Sequence, residues 1–232
     1  MNASRTARDH ARQEMTRAIK DAARRQLAEE GAIKLSLRSV ARELGVVSSA
    51  LYRYFPSRDD LLTALIIDAY DAVGEVAEKA AKNGDPRAGW LAACHAIRHW
   101  ARKHPHEYAL IYGSPIPGYV APRDTVAAGT RVPLLLIKQL RDAWANGSLK
   151  PVFPDPPLTP GLTGQIAQVA LQVAPELPFE AIARGLVVWT QLFGMLSFEL
   201  FGQLVGSVDP SDEFFARAIG QLADFVGLVE PS

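Results

Sequence analysis

The stretch SLRSVARELGVVSSALYRYFPSR, residues 36–58, decides how the N-terminal part of this chain folds. Apolar residues at helical spacing predict one short helix over about 37–44, and Gly45 ends it. A second short helix follows and runs to about Phe55, with Leu51 and Phe55 on its buried side. Two short helices joined by a glycine-containing turn are typical of a helix-turn-helix.

The outward side of the second helix carries hydrogen-bond donors. Burial of its apolar side leaves Ser48, Ser49, Tyr52 and Arg53 facing outward. A helix of this size fits the major groove of DNA, where hydroxyl and guanidinium groups bind phosphates and base edges. The alternative is a three-helix packing unit whose polar face is merely solvated.

Residues 51–62, LYRYFPSRDDLL, closely resemble the signature at the end of the DNA-binding domain of TetR-family transcriptional regulators. The resemblance runs from about Arg12 to Ala72 and includes VARELGV, the family's usual helix crossing and turn. It implies an all-α homodimer that binds a palindromic operator in double-stranded DNA. The DNA-binding residues predicted on this basis are Ser36, Arg38, Val47, Ser48, Ser49, Ala50, Tyr52, Arg53, Tyr54 and Arg58.

These residues are expected to make two kinds of contact. Tyr52 and Arg58 would bind phosphates and set the register on the duplex. Ser48 and Ser49 would read base edges in the major groove. Val47 stands where family members often carry a Ser or Thr helix cap, so Ser48 is the alternative cap.

Charge is distributed unevenly along the chain. Residues 1–58 carry 12 basic and 6 acidic side chains, whereas residues 59–232 carry 13 and 19. A basic end on an acidic body favours a polyanion such as nucleic acid as the partner of the basic end. Residues 1–11 are predicted to be a flexible basic tail, in which Arg5 and Arg8 either enter a flanking minor groove or stay solvated.

Helical periodicity continues to the C-terminus, and no alternating strand pattern persists. The predicted fold class is all-α, with an N-terminal three-helix helix-turn-helix DNA-binding domain over 12–72 and a helical ligand-binding and dimerisation domain over 73–232. After a turn signal at 83–86, the predicted helices span about 87–104, 125–146, 179–206 and 210–228, with a proline-rich connection over 147–160.

The C-terminal body also resembles part of the TetR family. Residues 100–118 and 187–206 resemble a C-terminal subclass that has a Trp-x-x-x-His-Gly element. Here Trp189 begins the element and Phe193 replaces the histidine before Gly194, so no role of that histidine is carried over.

The apolar helices near the C-terminus predict a homodimer interface in a four-helix bundle, with packing inside one subunit as the alternative. The predicted interface residues are Trp189, Phe193, Phe198, Phe201, Phe214, Phe215, Ile219 and Leu222.

A ligand pocket between helices is the usual feature of such bodies. Few charges fall in the segments that should line it, so a neutral or amphipathic small-molecule effector is expected. Each candidate residue has simple core packing as its alternative role. The predicted lining residues are Trp90, Cys94, Ile97, Tyr108, Tyr112, Leu135 and Trp144.

Two other kinds of protein remain open as alternatives. His95 and His99 have the i, i+4 spacing that can bind zinc or nickel, which would suit a metal-binding sensor or enzyme. A helical interaction protein without DNA binding is the second alternative. The sequence contains no H-E-x-x-H, G-x-S-x-G, P-loop or G-x-G-x-x-G pattern, so no catalytic residue, metal or cofactor is expected.

The chain is expected to be cytoplasmic and to have no membrane partner. Its N-terminus lacks the apolar region of a secretory signal, and its single cysteine excludes an intramolecular disulfide. The most apolar uncharged run, 185–198, has 14 residues, fewer than the roughly 20 that cross a bilayer. The layout of an N-terminal head on a helical body, together with the resemblance to the TetR family, implies a dimeric repressor that a small organic effector releases from its operator.

Overall fold

A computed structural model describes residues 3–82, 84–151 and 153–230, with side chains from residue 7 onward. Within these residues the protein is built from helices and contains no strand, which confirms the all-α class. The helices are α1 (Ala3–Glu30), α2 (Leu37–Glu43), α3 (Ser48–Leu51), α4 (Arg58–Ala80), α5 (Pro86–Lys103), α6 (Pro105–Tyr112), α7 (Asp124–Gly129), α8 (Arg131–Ala145), α9 (Pro160–Val173), α10 (Phe179–Leu200) and α11 (Asp212–Val226), with a short 3₁₀ helix at Ala32–Lys34.

The chain divides into two compact units. The first unit contains the described residues up to Tyr70 together with His104–Ala128, and the second contains Asp71–Lys103 and the chain from Gly129 onward. Helix α4 contributes its first half to the first unit and its second half to the second. The predicted boundary near residue 72 therefore lies close to this division, but the return of residues 104–128 to the first unit was not predicted.

The first unit has a core that its three N-terminal helices share. Ile19 and Ala23 of α1, Val40 and Ala41 of α2, and Leu51 of α3 are all buried in it. The small Ala41 side chain lets the short helices approach each other closely. This packing is what the apolar spacing of residues 36–58 predicts.

Residues 3–11 differ from the predicted flexible tail, because they form the first turns of α1. Nothing before Gly31 interrupts the helix, since residues 3–30 contain neither glycine nor proline and are rich in Ala, Arg, Gln and Glu. Such residues have high helix propensity. Gly31, with φ of 78°, ends the helix in the left-handed region.

Helix α9 was not predicted, because the predicted connection ended at residue 160 and no helix was assigned to residues 161–178. Pro160 occupies the first turn of the helix, where no amide donor is needed. The Thr159 hydroxyl caps it by accepting a hydrogen bond from the Leu162 amide at 3.4 Å. Ile166 and Ala170 bury one side of the helix in the second unit.

Two predicted helices have different bounds in the structure. The helix predicted over 125–146 is divided between Gly129 and Arg131, and Pro133 lies in the first turn of α8, where proline is tolerated. Helix α10 ends at Leu200, because Gly202 and Gly206 both adopt positive φ in the turns that follow.

By length and composition, α10 is one helix of the described chain that could cross a membrane. The whole helix has 22 residues, more than the uncharged run of 14 suggests. Buried core helices of water-soluble proteins meet the same criterion, and α10 buries Ile182, Val188 and Leu192 inside the second unit.

A buried arginine joins α5 to the end of α10 and the start of α11. The Arg98 side chain is 8% exposed and donates two hydrogen bonds to the Glu199 carboxylate, each 2.8 Å long, and a third to Asp212 at 2.9 Å. Burial raises the pKa of Glu199, but hydrogen bonds from Arg98 and Ser211 and the charge of Arg98 lower it further, so the net shift is downward. Glu199 is therefore ionised at neutral pH.

We expect Arg98→Met to lower the free energy of unfolding by about 3 kcal/mol, because it leaves the Glu199 carboxylate buried without its main partner. Arg102→Met is the matched control, since the Arg102 side chain is 52% exposed and contacts the same two acids. Its loss should cost less than about 1 kcal/mol. Urea denaturation at pH 7 measures both.

The loss of stability in Arg98→Met should depend on pH. The pKa of Glu199 is lower in the folded protein than its ordinary value of about 4.5. The contribution of ionised Glu199 to the free energy of unfolding is therefore fully present above about pH 4.5, and it is lost as the pH falls through the folded-state pKa. The difference in stability between wild type and Arg98→Met should therefore shrink on acidification below about pH 4.5. Equal destabilisation by both variants at pH 7 would contradict the buried role of Arg98.

Candidate nucleic-acid interface

Helices α2 and α3 are held together by a short turn. The Val46 amide donates to the Ala41 carbonyl at 3.0 Å, and Gly45, with φ of 68°, supplies the left-handed conformation that the turn requires. Helix α3 proper ends at Leu51, earlier than predicted, but the amides of Tyr54 and Phe55 both donate to the Leu51 carbonyl. The helical path therefore continues as turns to Phe55.

The helix starts on this surface are set by backbone geometry. Ser36 occupies the N-cap of α2 with extended backbone, but its side chain makes no capping hydrogen bond. Val47 occupies the N-cap of α3, and Ser48 is the first helical residue. The alternative in which Ser48 caps the helix is therefore not what the structure has.

About half of the predicted DNA-binding residues form an exposed face. Val47 is 70% and Tyr52 45% exposed. Leu51 and Phe55 point into the core, which is why the residues between and before them face outward. The exposed members are Arg38, Val47, Ser49, Tyr52 and Arg53, and the half-buried ones are Ser36, Ser48, Ala50, Tyr54 and Arg58.

Helix α1 contributes a basic edge beside this face. The Arg12 guanidinium carbon lies 5.8 Å from the centroid of the Tyr54 ring, a cation–π arrangement. Arg8, one turn before Arg12, is exposed on the same helix. The side chain of Arg5 lies outside the described residues. Arg8 and Arg12 therefore lie on a helix and not on a flexible tail.

Arg58 was predicted to contact phosphate, and in the structure its guanidinium donates hydrogen bonds to backbone carbonyls. Its Nε donates to the Leu35 carbonyl at 3.0 Å, and a terminal nitrogen donates to the Ala32 carbonyl at 2.8 Å. These carbonyls belong to the 3₁₀ helix and the residue after it, where backbone acceptors lack helical donors. Arg58 therefore fastens the start of α4 to the connection between α1 and α2.

The second unit contains a cavity of about 120 Å³. One of the seven predicted pocket residues, Trp90, lines this cavity, and the other six do not. Cys94 and Ile97 are buried elsewhere in the core, and Leu135 and Trp144 lie off the cavity on α8. The residues that line it are Trp90, Pro133, Leu134, Leu136, Ile137, Leu140, Val169, Val173, Ile182, Gly185, Leu186, Val188, Trp189 and Val226.

Tyr108 and Tyr112 were also predicted to line the pocket, but both belong to the first unit. Tyr112 packs edge-on against Tyr70, with ring centroids 5.9 Å apart, and burial raises the pKa of its hydroxyl. Pro105 starts a new helix that returns to the first unit, and sequence spacing along α5 and α6 does not reveal that change of unit.

Thirteen of the fourteen cavity-lining residues of the described chain were not predicted to line a pocket. Val169 and Val173 lie on α9, over which no helix was predicted. Ile137 and Leu140 lie on the predicted helix of α8, on a different face from Leu135. The spacing of Ile166, Val169, Ala170 and Val173, together with Thr159–Pro160, was a usable signal for α9.

The predicted dimer residues divide into two groups. Phe198, Phe201 and Phe214 are exposed, and Leu222 is half-buried. Phe193, Phe215 and Ile219 are instead buried in the second unit, where the Phe215 ring lies under the Arg98 guanidinium at 4.8 Å. Trp189 lines the cavity. Helical spacing did not reveal which side of α10 and α11 faces this unit's own core.

The histidines do not form a metal site with other ligands of the described chain. His95 and His99 are both exposed, and His95 packs against the Phe215 ring at 5.7 Å. Burial and the charge of Arg98 lower the pKa of His95. Over residues 3–82, 84–151 and 153–230, no group of three or more His, Cys, Asp and Glu side chains is arranged to hold a metal ion.

Comparisons with known proteins agree with the two-part organisation. Residues 19–65 match the family model of bacterial regulatory proteins of the tetR family, and residues 90–222 match that of the tetracyclin repressor-like C-terminal domain. The chain is 35% identical over 220 residues to an HTH-type transcriptional regulator of Mycobacterium bovis, covering 90% of this chain and 92% of that protein.

A shorter match covers a protein named as a repressor. Over 93 residues, the chain is 37% identical to an HTH-type transcriptional repressor of Streptomyces coeruleorubidus, which is 38% of this chain and 32% of that protein. Among solved structures, a chain described as a regulatory protein aligns with a TM-score of 0.76 and 34% identity, over 92% of this chain and 97% of that one.

The different environments of Arg58 and Arg53 lead to a prediction. Arg58→Met should lower the free energy of unfolding by about 1.5–3 kcal/mol, because charge-assisted hydrogen bonds to two carbonyls are lost. Arg53→Met should change stability by less than about 0.5 kcal/mol, because the side chain is exposed. In DNA titrations at stepped salt, Arg53→Met should reduce the slope of log K against log[salt] by about 1.

Thermal or urea denaturation and the salt series are performed on both variants. A stable Arg58→Met protein with a reduced salt slope would show that Arg58 binds phosphate after all. An unchanged slope for Arg53→Met would remove Arg53 from the DNA contacts.

Proposed function

The chain belongs to the TetR family of bacterial regulatory proteins, and from that premise we propose that it is a cytoplasmic, homodimeric repressor released from a palindromic operator by a small neutral effector. That it is a DNA-binding transcriptional regulator with a helix-turn-helix follows from its family and its relatives. The observation that carries the effector-released part is a direct link, inside the second unit, between the cavity wall and α4.

That link is made by Arg131, the first residue of α8. Its Nε and a terminal nitrogen donate to the two oxygens of Glu78 at 2.9 and 2.7 Å, and its other terminal nitrogen donates to the Asp71 carboxylate at 2.8 Å. The hydrogen bond from Arg131 lowers the pKa of Glu78, so the pair is ionised at neutral pH. Two-point pairing of this kind fixes direction as well as distance.

The fit between these two helices requires a glycine on α4. A Cβ atom at Gly74 would lie 2.8 Å from Arg131 Nε and 3.0 Å from Arg131 Cβ, closer than side-chain atoms normally approach. The Arg131 side chain therefore lies directly against the α4 backbone. Because the two helices are in close contact here, a movement of α8 at this end would move α4 as well.

The same α8 helix forms one wall of the cavity through Pro133, Leu134, Ile137 and Leu140. A ligand that fills the cavity would press on this wall, and Arg131 would pass the displacement to the second half of α4. Because α4 is one continuous helix, its first half would move the helix-turn-helix that it belongs to.

Operator release then follows from geometry. Two half-sites about one helical turn apart, roughly 34–36 Å, require a fixed separation of the two recognition helices. A coupling free energy of about 1–3 kcal/mol between effector and DNA would lower operator affinity roughly 5–150-fold. The relative from Streptomyces coeruleorubidus, which matches over 93 residues, is named a repressor, and this favours repression over activation.

The dimer is supported by an exposed apolar face on α10 and α11. Val187 and Phe198 on α10 and Phe214 and Phe225 on α11 all leave more than a third of their surface exposed. Surface apolar residues grouped on two neighbouring helices are typical of an interface. A second copy of this chain, contributing the same two helices, would close a four-helix bundle.

The remaining alternatives have less support. A metal-dependent sensor would need ligands beyond His95 and His99, and the described residues do not group any with them. We propose no catalytic activity. The subclass with the Trp-x-x-x-His-Gly element stays a prediction, because the matching C-terminal family model does not distinguish it.

The regulator is tested first by fluorescence anisotropy with DNA from upstream of the gene that encodes this chain, at stepped salt and with competitor DNA. Phe198→Glu should convert a dimer into a monomer, because it places a charge in an apolar interface. Operator affinity should then fall by at least about tenfold, since one half-site alone is bound. Val120→Glu is the control, because Val120 is exposed on the first unit.

Analytical ultracentrifugation reads the oligomeric state of both variants. A Phe198→Glu protein that remains dimeric and binds DNA as wild type would place the interface elsewhere.

The Arg131 link gives a second prediction. Arg131→Met should still bind the operator and the effector. A compound that releases wild-type protein from DNA should, however, leave the operator affinity of the variant nearly unchanged, because α8 no longer holds α4. Lys138→Met is the matched control on the same helix, since Lys138 pairs only with Asp142 one turn away. Calorimetry measures compound binding and anisotropy measures DNA release, and normal release from Arg131→Met would refute the proposed coupling.

A further inference from the structure

We propose that residues 7–14 of α1 form a helical arm that binds phosphates of the DNA backbone through Arg8 and Arg12. The arm is a second DNA-contacting surface beside the recognition face of α2 and α3. It strengthens binding and helps to set the register on the duplex without reading bases. The inference goes beyond the proposed function, which places only the helix-turn-helix on DNA.

The arm continues α1 past the core of the first unit. Ile19 is buried in that core, and Met15, one turn earlier, packs against it as a partly buried residue. Every residue from 7 to 14 is exposed. At a rise of about 1.5 Å per residue, Arg8 lies roughly 16 Å beyond Ile19 along the helix axis. This length of helix therefore presents its side chains outside the core of its own unit.

Arginines take the place of apolar residues on one face of the arm. At about 100° per residue, Arg8 and Arg12 lie within about 20° of the direction of Ile19 around the helix axis. The two acids of the arm, Asp9 and Glu14, lie about 80° and about 140° away from that direction. The face that packs on the core at Ile19 is therefore cationic in the arm, although the arm as a whole is nearly neutral.

The two arginines form no ion pair with the residues that the structure describes. By contrast Arg24, further along the same helix, contacts Asp68 at 2.6 Å and Glu107 at 3.0 Å. A guanidinium that is paired with carboxylates has few donors left for another anion. Within the described chain, Arg8 and Arg12 keep their donors for a partner outside it.

Tyr54 places Arg12 next to the recognition face. The Arg12 guanidinium carbon lies 5.8 Å from the centroid of the Tyr54 ring. Tyr54 packs partly buried against the core and directly follows Arg53, which is exposed on the recognition face. A guanidinium over an aromatic ring still has its N–H groups available at its edge. The cationic face of the arm is therefore continuous with the surface that binds DNA.

This position favours phosphates over bases as the partner. In helix-turn-helix proteins the recognition helix reads base edges with its N-terminal residues. Val47 and Ser48 begin α3, whereas Tyr54 lies in the turns after its end. Arginines beside Tyr54 are thus displaced from the bases that α3 reads, towards the backbone that borders the groove. Guanidinium groups bind phosphate through charge-assisted hydrogen bonds, and such contacts carry no sequence information.

The inference is tested on the intact protein with a duplex that the wild-type chain selects from random DNA. The backbone phosphates of this duplex are replaced one at a time by neutral methylphosphonates, and fluorescence anisotropy measures the affinity for each duplex. Replacement of the phosphate that Arg12 contacts should weaken wild-type binding roughly 2–5-fold. The same replacement should not affect Arg12→Gln, because the contact is already lost. Arg8→Gln should behave in the same way at its own phosphate.

Arg17→Gln is the matched control. Arg17 is exposed on the same helix but lies about 140° from Arg12 around the axis, so its removal changes the charge equally on another face. Each phosphate that matters to wild type should still matter to Arg17→Gln. The slope of log K against log[salt] should fall by about 1 for each bound copy of Arg12→Gln and stay nearly unchanged for Arg17→Gln. All three variants replace exposed residues by a good helix former, so the fold is kept.

A second selection from random DNA, with Arg8→Gln/Arg12→Gln, separates phosphate binding from base readout. It should return the wild-type consensus, since phosphates carry no sequence information. A changed consensus, a phosphate scan of Arg8→Gln and Arg12→Gln identical to that of wild type, or equal losses in Arg17→Gln would overturn the arm and leave the regulator standing. Failure of the wild-type chain to select any duplex would refute both.

Discussion

The pairing of Arg131 with Glu78 and Asp71 is the interaction on which the proposed coupling between effector and operator depends. It joins the start of α8 to the second half of α4 at hydrogen-bond distances of 2.7 to 2.9 Å, and Gly74 leaves the space that the arginine needs. Helix α8 is also a wall of the apolar cavity. The two charged pairs thus connect a ligand-sized space to a helix that continues into the DNA-binding unit.

Arginines in this chain serve several purposes, and their environment decides which. Arg53 is exposed on the recognition face, where a cation can reach DNA. Arg58, five residues later, donates hydrogen bonds to backbone carbonyls. Arg98 is buried and pairs with two acidic side chains. The net charge of residues 1–58 correctly indicates a polyanion partner, but it overstates how many of those charges are free to contact it.

The cavity shows how apolar residues acquire a role through their neighbours. Trp90 and Ile97 lie two turns apart on α5 and are equally apolar and equally buried, yet only Trp90 reaches the cavity. Trp189 was predicted at a dimer interface because it lies on an apolar helix. In the structure it lines the cavity together with residues of α8 and α9.

The sequence by itself determined the helical class, the helix-turn-helix and the exposed donors of α3 and of the turns after it, because these depend on spacing within one or two turns of chain. Gly45, Leu51 and Phe55 act on near neighbours, so their pattern is readable without coordinates. The tertiary structure alone decided the return of residues 104–128 to the first unit, the inward side of α10 and α11, and the walls of the cavity. These depend on contacts between residues far apart in the chain, and helical periodicity marks an apolar face without naming what covers it.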